Sequence, residues 1–206
     1  MTDATTLVTV LRHGEVAGPW NVLRGKHDAP LSAAGLQQMQ QVMAAINTTE
    51  FSPIVSSPLA RCRTFAESIA QTSDIPLTLH GGFEEIDFGE WEGLTPLEAQ
   101  TATPELFTRF QANPEGLAPP KGEAFNAFRQ RVLDAFADCL ARDAESHTLL
   151  VTHGGVMRVI LSAVLGITWH SAFQIAIPAA GSFQLSLLPG HAPYLLNLNF
   201  GQPCAA

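Results

Sequence analysis

The sequence predicts an α/β protein, a three-layer α/β/α sandwich around a central, mainly parallel sheet. Short runs of apolar and β-branched residues alternate along the chain with longer stretches of helical periodicity. Such alternation is typical of a sheet whose two faces are covered by helices. The 206 residues suffice for a domain with its own core, and no repeat or linker divides them. We therefore expect a single domain over residues 1–206.

The first part of the chain supplies strands and helices in alternation. In order, the predicted elements are a strand at 6–12, a helix within 28–46, a short strand within 51–58, a helix from Pro58, and a strand within 75–80. Ser32 is expected to cap the first helix. Ser57 is expected to cap the second, with Pro58 at its first position, where the missing N–H costs nothing.

The second part of the chain begins with an irregular, glycine-rich stretch at 81–94, followed by a helical insertion at about 95–122. The remaining predicted elements are a long amphipathic helix within 123–143, a strand from 147, a helix at 156–165, strands near 172–177 and 182–188, and a short strand within 193–200. The strand near 172–177 would offer an edge for homodimer formation.

The charge balance limits the classes of partner. Acidic residues outnumber basic ones 19 to 11, and the formal net charge is -8. This argues against nucleic acid or an anionic membrane as a partner, so an anionic ligand must be held by a local group of cations. We expect no secretory signal, because the first residues lack a basic region followed by a long apolar run, and the three cysteines lack disulfide or metal-ligand spacing. We expect a cytoplasmic protein with reduced thiols and no metal or cofactor.

Two histidines follow two of the predicted strands. His13 comes after the strand at 6–12 and His153 after the strand from 147, and each is followed by glycine, which permits close approach of backbone to a ligand. Ligands bind beyond the carboxyl ends of strands in open α/β sheets, so the two imidazoles are expected to meet there. Arg12 precedes His13, and Arg61 lies in the first turn of a helix at another strand end. Taken singly, each of these residues also fits a purely structural role, but together they suit a tetrahedral oxyanion.

Phosphate chemistry at such a site would need a nucleophile from the protein, because no metal-binding or nucleotide-binding motif is present. A neutral histidine can attack phosphorus and form a covalent intermediate. The leaving alkoxide also needs a proton from a nearby carboxylic acid. The residues alone leave five candidates for that acid: Glu84, Glu85, Asp87, Glu90 and Glu92.

Five segments, in this order, resemble the histidine phosphatase superfamily with its phosphoglycerate-mutase-like fold: LRHGE, SSPLARCRTF, FEEIDFGEWEG, KGEAF and VTHGGVMR. The resemblance implies that His13 is the nucleophile and that Arg12 and Arg61 bind the phosphoryl oxygens. It implies that His153 completes the phosphate pocket. It also selects Glu85 as proton donor, because the family's acid precedes a Tyr-Gly or Phe-Gly pair by three residues.

The chain departs from the family pattern at one phosphate-binding position. Many members have asparagine six residues after the first histidine, where this chain has Pro19. Asn21 either takes over that phosphate contact through a two-residue insertion or is an unrelated loop residue. The segment LRGKHDAPLS resembles the α-ribazole phosphatase branch. There, Arg24, Lys26 and His27 either line the substrate entrance or form a solvated loop.

The resulting prediction is a metal-independent phosphatase that hydrolyses small phosphate monoesters through a phosphohistidine intermediate. The specific substrate suggested by the resemblance is α-ribazole 5′-phosphate. A cofactor-dependent phosphoglycerate mutase is the nearest alternative, although the stretch between Glu85 and the long helix is short for a mutase. A non-catalytic phosphate-binding domain is the second alternative, which the presence of both nucleophile and acid disfavours.

Overall fold

The computed structural model describes residues 5–46, 51–144 and 146–199, and its strands form one six-stranded sheet. The strands are β1 (Thr6–Arg12), β2 (Ile54–Ser56), β3 (Leu77–Leu79), β4 (His147–Thr152), β5 (Ser182–Leu187) and β6 (Tyr194–Asn199). Their order across the sheet is β3-β2-β4-β1-β5-β6. The first four of these are parallel, and β5 and β6 are antiparallel additions at one side. The predicted mainly parallel sheet is confirmed.

Helices connect the strands. They are α1 (Ala33–Ala45), α2 (Ala60–Ser73), α3 (Pro96–Ala102), α4 (Pro104–Ala112), α5 (Phe125–Arg142), α6 (Gly154–Leu165) and α7 (Trp169–Phe173). Two 3₁₀ turns, Gly81–Phe83 and Gly89–Trp91, interrupt the irregular stretch before α3. Ser32 caps α1 as expected, because its side chain accepts a hydrogen bond from the Gly35 N–H.

Alternate residues of the buried strands supply two separate cores, one on each face of the sheet. On one face, Val10 of β1 and Leu150 of β4 pack with α5 and α6. On the other face, Leu11 and Val151 pack with α1 and α2. Because successive strand residues point to opposite faces, a sheet covered on both sides needs apolar residues at consecutive positions. The three-layer prediction follows from that pattern and is confirmed.

The predicted insertion has its own small core. Trp91 is buried against Ala99 of α3 and Phe107 of α4, and its ring lies edge-on to Phe107 at a centroid distance of 5.1 Å. The Trp91 Nε1–H donates to the Thr103 hydroxyl over 2.9 Å. These contacts hold the α3–α4 unit beside the segment that carries the candidate acids.

Two predicted elements are wrong in detail. The second helix begins at Ala60 and not at Pro58, and Ser57 does not cap it. The predicted strand near 172–177 does not exist, because α7 ends at Phe173 and an irregular segment follows it. The edge expected there for homodimer formation is therefore absent. Cys62 and Cys139 are buried free thiols on α2 and α5, and Cys204 lies outside the described residues.

In the described part of the chain, every helix is too short or too polar to cross a bilayer.

Candidate active site

Three neighbouring parallel strands, β1, β4 and β2, end at the same edge of the sheet, and His13 and His153 directly follow the ends of β1 and β4. The His13 N–H donates to the Thr152 carbonyl over 2.9 Å, and the Ser57 N–H donates to the Val151 carbonyl over 3.0 Å. These bonds extend the sheet ladder by one residue at each strand. They bring the ring centroids of His13 and His153 to 5.2 Å, at an interplanar angle of 62°. The predicted meeting of the two histidines is observed.

The backbone fixes the tautomer of His13. Its Nδ1 lies 2.7 Å from the Gly14 carbonyl oxygen, which can only accept, so Nδ1 carries the proton. The lone pair is then on Nε2. Burial lowers the pKa of His13 well below its usual range, and the charges of Arg12 and Arg61 lower it further. His13 is therefore neutral near pH 7, with Nε2 free to act as a nucleophile.

His153 is held as the opposite tautomer. The Arg61 Nε–H donates to His153 Nδ1 over 3.2 Å, and an arginine cannot accept, so Nδ1 lacks a proton. The proton is on Nε2, 2.8 Å from the Ser57 hydroxyl. Burial and the charge of Arg61 lower the pKa of His153 well below its usual range. The two rings therefore stand together as neutral groups with different protonated nitrogens.

Arg61 is fully buried and holds parts of the site in place. Besides its bond to His153, its Nη1 donates to the His27 carbonyl over 3.2 Å and its Nη2 to the Gly25 carbonyl over 2.6 Å. These bonds occupy only part of its N–H groups. Arg61 therefore orients His153 and the loop at 22–28, and it brings a positive charge next to both imidazoles.

Arg12 presents one edge of its guanidinium to the site. Its Nη1 donates to the Ile177 carbonyl over 2.6 Å. Its Nε is buried and has no hydrogen-bond partner among the described residues. The edge formed by Nε and Nη2 is the one that matches two oxygens of a phosphate or carboxylate. Arg12 is thus fixed at Nη1, while its buried Nε–H is left without a partner among the described residues.

Of the five candidate acids, Glu85 is the one at the site. It is buried, and its Oε2 accepts the Gly155 N–H over 2.9 Å at the start of α6, two residues after His153. The other carboxylates are engaged elsewhere: Glu84 with Lys26, Asp87 with the Gly89 N–H, Glu90 with Lys121, and Glu92 with the Gly25 and Lys26 N–H groups. Geometry therefore selects the residue that the resemblance implied.

The glycines that follow the histidines serve packing and side-chain placement. A Cβ on Gly14 would lie 2.1 Å from the Gly35 carbonyl oxygen, so Gly14 allows β1 to pass the first turn of α1. The expected close approach of a ligand at this position stays a prediction. A Cβ on Gly155 would lie 2.2 Å from Glu85 Oε1, so Gly155 leaves room for the acid.

The loop at 22–28 is anchored to the site, which the sequence reading missed. Gly25 is buried, and a Cβ there would lie 1.9 Å from the Ile86 carbonyl oxygen. Asp28 accepts the Ala60 N–H with both oxygens at 2.9 Å, and its Oδ1 lies 3.8 Å from Arg61 Nη1. Asp28 is thus the acceptor at the start of α2, the role that was expected of Ser57. The signal available in the sequence was a glycine between charged residues, Arg24 and Lys26.

The other residues of interest in and near this loop differ in their contacts. Asn21 is exposed, has a left-handed backbone with φ of 57°, and makes no described contact with His13, Arg12 or Arg61. Arg24 donates to the Pro19 carbonyl, and its charge contributes to the lowered pKa of His13. Lys26 lies 3.7 Å from Glu84. The loop is therefore not a uniformly solvated segment.

The assembled group combines a neutral nucleophile, two guanidiniums and a buried carboxyl group. Within the described ranges, no three histidine, cysteine, aspartate or glutamate side chains are placed to share a metal ion. The arrangement suits the binding of a phosphoryl group between Arg12 and Arg61 with attack from His13.

Comparison with known proteins agrees with this geometry. The chain is 35% identical over 165 residues to the protein named "Probable phosphoglycerate mutase GpmB" of Citrobacter koseri, covering 78% of this chain and 75% of that one. It resembles the solved structure of Bacillus stearothermophilus YhfR with a TM-score of 0.82 and 26% identity, over 93% and 95% of the two chains. It also shares its fold with the α-ribazole phosphatase of Shigella flexneri, with a TM-score of 0.81 and 22% identity over 94% and 96% of the chains.

A family model matches most of the chain, from residue 8 to residue 199, and is described as the histidine phosphatase superfamily, branch 1. That span includes both histidines, the two arginines and Glu85. The chain therefore belongs to the histidine phosphatase superfamily.

Proposed function

We propose that the protein hydrolyses small phosphate monoesters in two steps, through a phosphohistidine on His13 and without a metal ion. The observation that carries this proposal is the bond from His13 Nδ1–H to the Gly14 carbonyl, because it leaves the Nε2 lone pair free beside Arg12 and Arg61. A buried carboxyl group, Glu85, completes the requirements for ester cleavage.

In the first step, His13 Nε2 attacks phosphorus, the N–P bond forms and the ester P–O bond breaks. The departing alkoxide oxygen takes the proton of Glu85, which becomes a carboxylate. In the second step, Glu85 takes a proton from water, the water oxygen bonds to phosphorus and the N–P bond breaks. Inorganic phosphate leaves, His13 returns to its neutral state and Glu85 is protonated again.

Charge on the transferring oxygens is offset by the two arginines. Arg12 offers its free Nε–Nη2 edge, and Arg61 contributes its buried charge and its remaining N–H groups. His153, which follows β4, completes the pocket beside His13, which follows the neighbouring strand β1. Because the site is largely buried, these interactions act in surroundings less polar than water.

A phosphoglycerate mutase is the second candidate, since the relatives with 30–35% identity carry that name. A mutase would pass the phosphoryl group to a second hydroxyl and not to water. Between Glu85 and α5 the chain forms a 3₁₀ turn and the short helices α3 and α4, which leaves limited chain to shield the intermediate from water. This favours hydrolysis.

Two finer expectations stay predictions: α-ribazole 5′-phosphate as the substrate, and a cytoplasmic location. The described contacts of the 22–28 loop tie it to the site without indicating which ester it accepts. A panel of phosphate esters that includes α-ribazole 5′-phosphate tests the first.

The proposal is tested by phosphate release from p-nitrophenyl phosphate with EDTA present. We expect turnover by the wild type and by His191→Ala, a control at an exposed histidine, and none by His13→Ala. Transfer from a phosphoglycerate to a second hydroxyl, without release to water, would favour the mutase. Binding of esters without turnover by the wild type would favour the non-catalytic domain.

A further inference from the structure

A charged pair next to the backbone of the candidate acid takes no part in the two steps above. Glu123, from the segment KGEAF, and Arg131 of α5 form a bidentate ion pair, with Nε 2.7 Å from Oε1 and Nη2 2.8 Å from Oε2. Their side chains are only 18% and 24% exposed. The guanidinium carbon also lies 5.0 Å from the centroid of the Phe128 ring. These contacts give the Arg131 guanidinium a defined position and orientation.

The rest of the Arg131 guanidinium binds the backbone that leads to the acid. Its Nη1 donates to the carbonyls of Gly82 over 3.0 Å and Glu84 over 2.8 Å, and its Nη2 donates to the carbonyl of Glu85 itself over 3.1 Å. Together with the two bonds to Glu123, these bonds use all five N–H groups of the side chain. Arg131 therefore has no N–H group left for a ligand, and its donors hold the protein in place.

Other bonds fix the acid-bearing segment before and after this point. The Phe83 carbonyl accepts the Thr152 hydroxyl over 2.9 Å, at the end of β4. On the other side, the Glu123 N–H donates to the Asp87 carbonyl over 2.9 Å, and Glu123 Oε2 lies 3.4 Å from the Asp87 nitrogen, which donates to it. The backbone is therefore held on both sides of Glu85.

The carboxyl group of Glu85 depends on that backbone for its position. Among the described residues, its hydrogen-bond donors are the N–H groups of Gly155, at 2.9 Å, and Ile86, at 3.2 Å. A proton donor acts only when it lies within hydrogen-bond reach of the leaving oxygen. If the carbonyl of Glu85 lost its bond to Arg131, the Cα and the carboxyl group would both be free to shift.

We infer that Arg131 and Glu123 are positioning residues for proton transfer, because they hold the backbone that places the Glu85 carboxyl group at the leaving oxygen. This inference rests on the proposed function and adds two residues that neither touch the phosphoryl group nor exchange a proton. Their loss should slow the steps that need Glu85. It should spare the attack of His13 on an ester whose leaving group needs no proton.

The test compares glycerol 3-phosphate, an alkyl ester, with p-nitrophenyl phosphate. Arg131→Gln should lower kcat/KM for the alkyl ester by about 10- to 100-fold, since displacement of a catalytic group by about 1 Å can cost about 100-fold. For p-nitrophenyl phosphate, kcat and KM should fall together and kcat/KM should stay nearly unchanged, because phosphorylation of His13 is retained while activation of water by Glu85 is slowed. Arg129→Gln, at an exposed arginine on α5, is the matched control and should change neither ester.

Two milder variants keep the test decisive if thermal unfolding shows Arg131→Gln to be unfolded. Arg131→Lys keeps the positive charge but has three N–H groups in place of five, and Glu123→Gln keeps the size but loses the charge. Both should show smaller losses in kcat/KM, again confined to the alkyl ester. Equal losses on both esters in the folded variants, which a purely structural role predicts, would overturn the inference, as would wild-type kinetics in all of them. If the wild type released phosphate from no ester, p-nitrophenyl phosphate included, the proposed function would fail, and this inference with it.

Discussion

Replacement of Gly155 by alanine should disable proton donation while leaving the rest of the site in place. The new Cβ would lie 2.2 Å from Glu85 Oε1, 3.0 Å from its Cδ and 3.3 Å from its Oε2. Ordinary contact begins at 3.4 Å, so the carboxyl group must retreat by about 1.2 Å. Displacement of a catalytic group by about 1 Å can cost about 100-fold in rate.

The assay for Gly155→Ala uses two leaving groups. Release of an alkoxide needs the proton of Glu85, whereas p-nitrophenolate is stable enough to leave without one. We expect kcat for an alkyl phosphate to fall by about 100-fold, and phosphorylation by p-nitrophenyl phosphate to be much less affected. Gly81→Ala is the matched control, because a Cβ there meets only Glu84 Oε1 at 3.9 Å. Wild-type turnover of alkyl esters by Gly155→Ala would refute the placement of the acid.

Two further predictions concern stability and the loop. The free energy of unfolding should fall as pH drops below about 6.5, by up to about 1.4 kcal/mol per pH unit for each of His13 and His153. Both histidines have lowered pKa values in the folded protein, so below about pH 6.5 the unfolded chain binds more protons than the folded one. Their full contribution to the free energy of unfolding is therefore present only above that pH. Asp28→Ala should cost about 1 kcal/mol and raise KM, since Asp28 accepts the Ala60 N–H and lies 3.8 Å from Arg61.

Urea unfolding at several pH values measures how the free energy of unfolding falls with pH. His13→Asn should remove about half of the slope and the exposed His191→Gln none of it; equal slopes in all three proteins would contradict the lowered pKa values. Thermal unfolding and kinetics measure the effects of Asp28→Ala. Asp138→Ala, at an exposed position on α5, is its control, and a wild-type Tm and KM in Asp28→Ala would contradict the anchoring role.

Local sequence patterns were enough to predict the sheet and the meeting of the two histidines, because both follow from short apolar segments that can be recognised one at a time. The strand before His13 and the strand before His153 are continuous apolar runs, and parallel pairing then places both histidines at one edge. Without the resemblance to a known family, the choice of Glu85 among five acidic residues could not be made from the sequence. It depends on the space left by Gly155, 70 positions further along the chain.

The two wrong predictions, the start of the second helix and the strand near 172–177, also come from contacts between residues that are distant in the chain. Ser57 and Pro58 have the composition of a helix start, but the Ser57 hydroxyl is bonded to His153, and Asp28, from a distant loop, accepts the first N–H of α2. The apolar run near 172–177 has the composition of a strand. However, Thr168 caps the short helix α7 there, and the Ile177 carbonyl accepts a hydrogen bond from Arg12. In both places a tertiary contact overrides local propensity.

The most direct test of the account is to look for the phosphoryl group on His13. Glu85→Gln should still be phosphorylated by p-nitrophenyl phosphate, because that leaving group needs no proton, but should lack the base that activates water. We therefore expect the quenched variant to carry one phosphoryl group, located by mass spectrometry in the peptide that contains His13. Rapid phosphate release by Glu85→Gln without phosphohistidine, or a phosphoryl group on His153, would contradict the account.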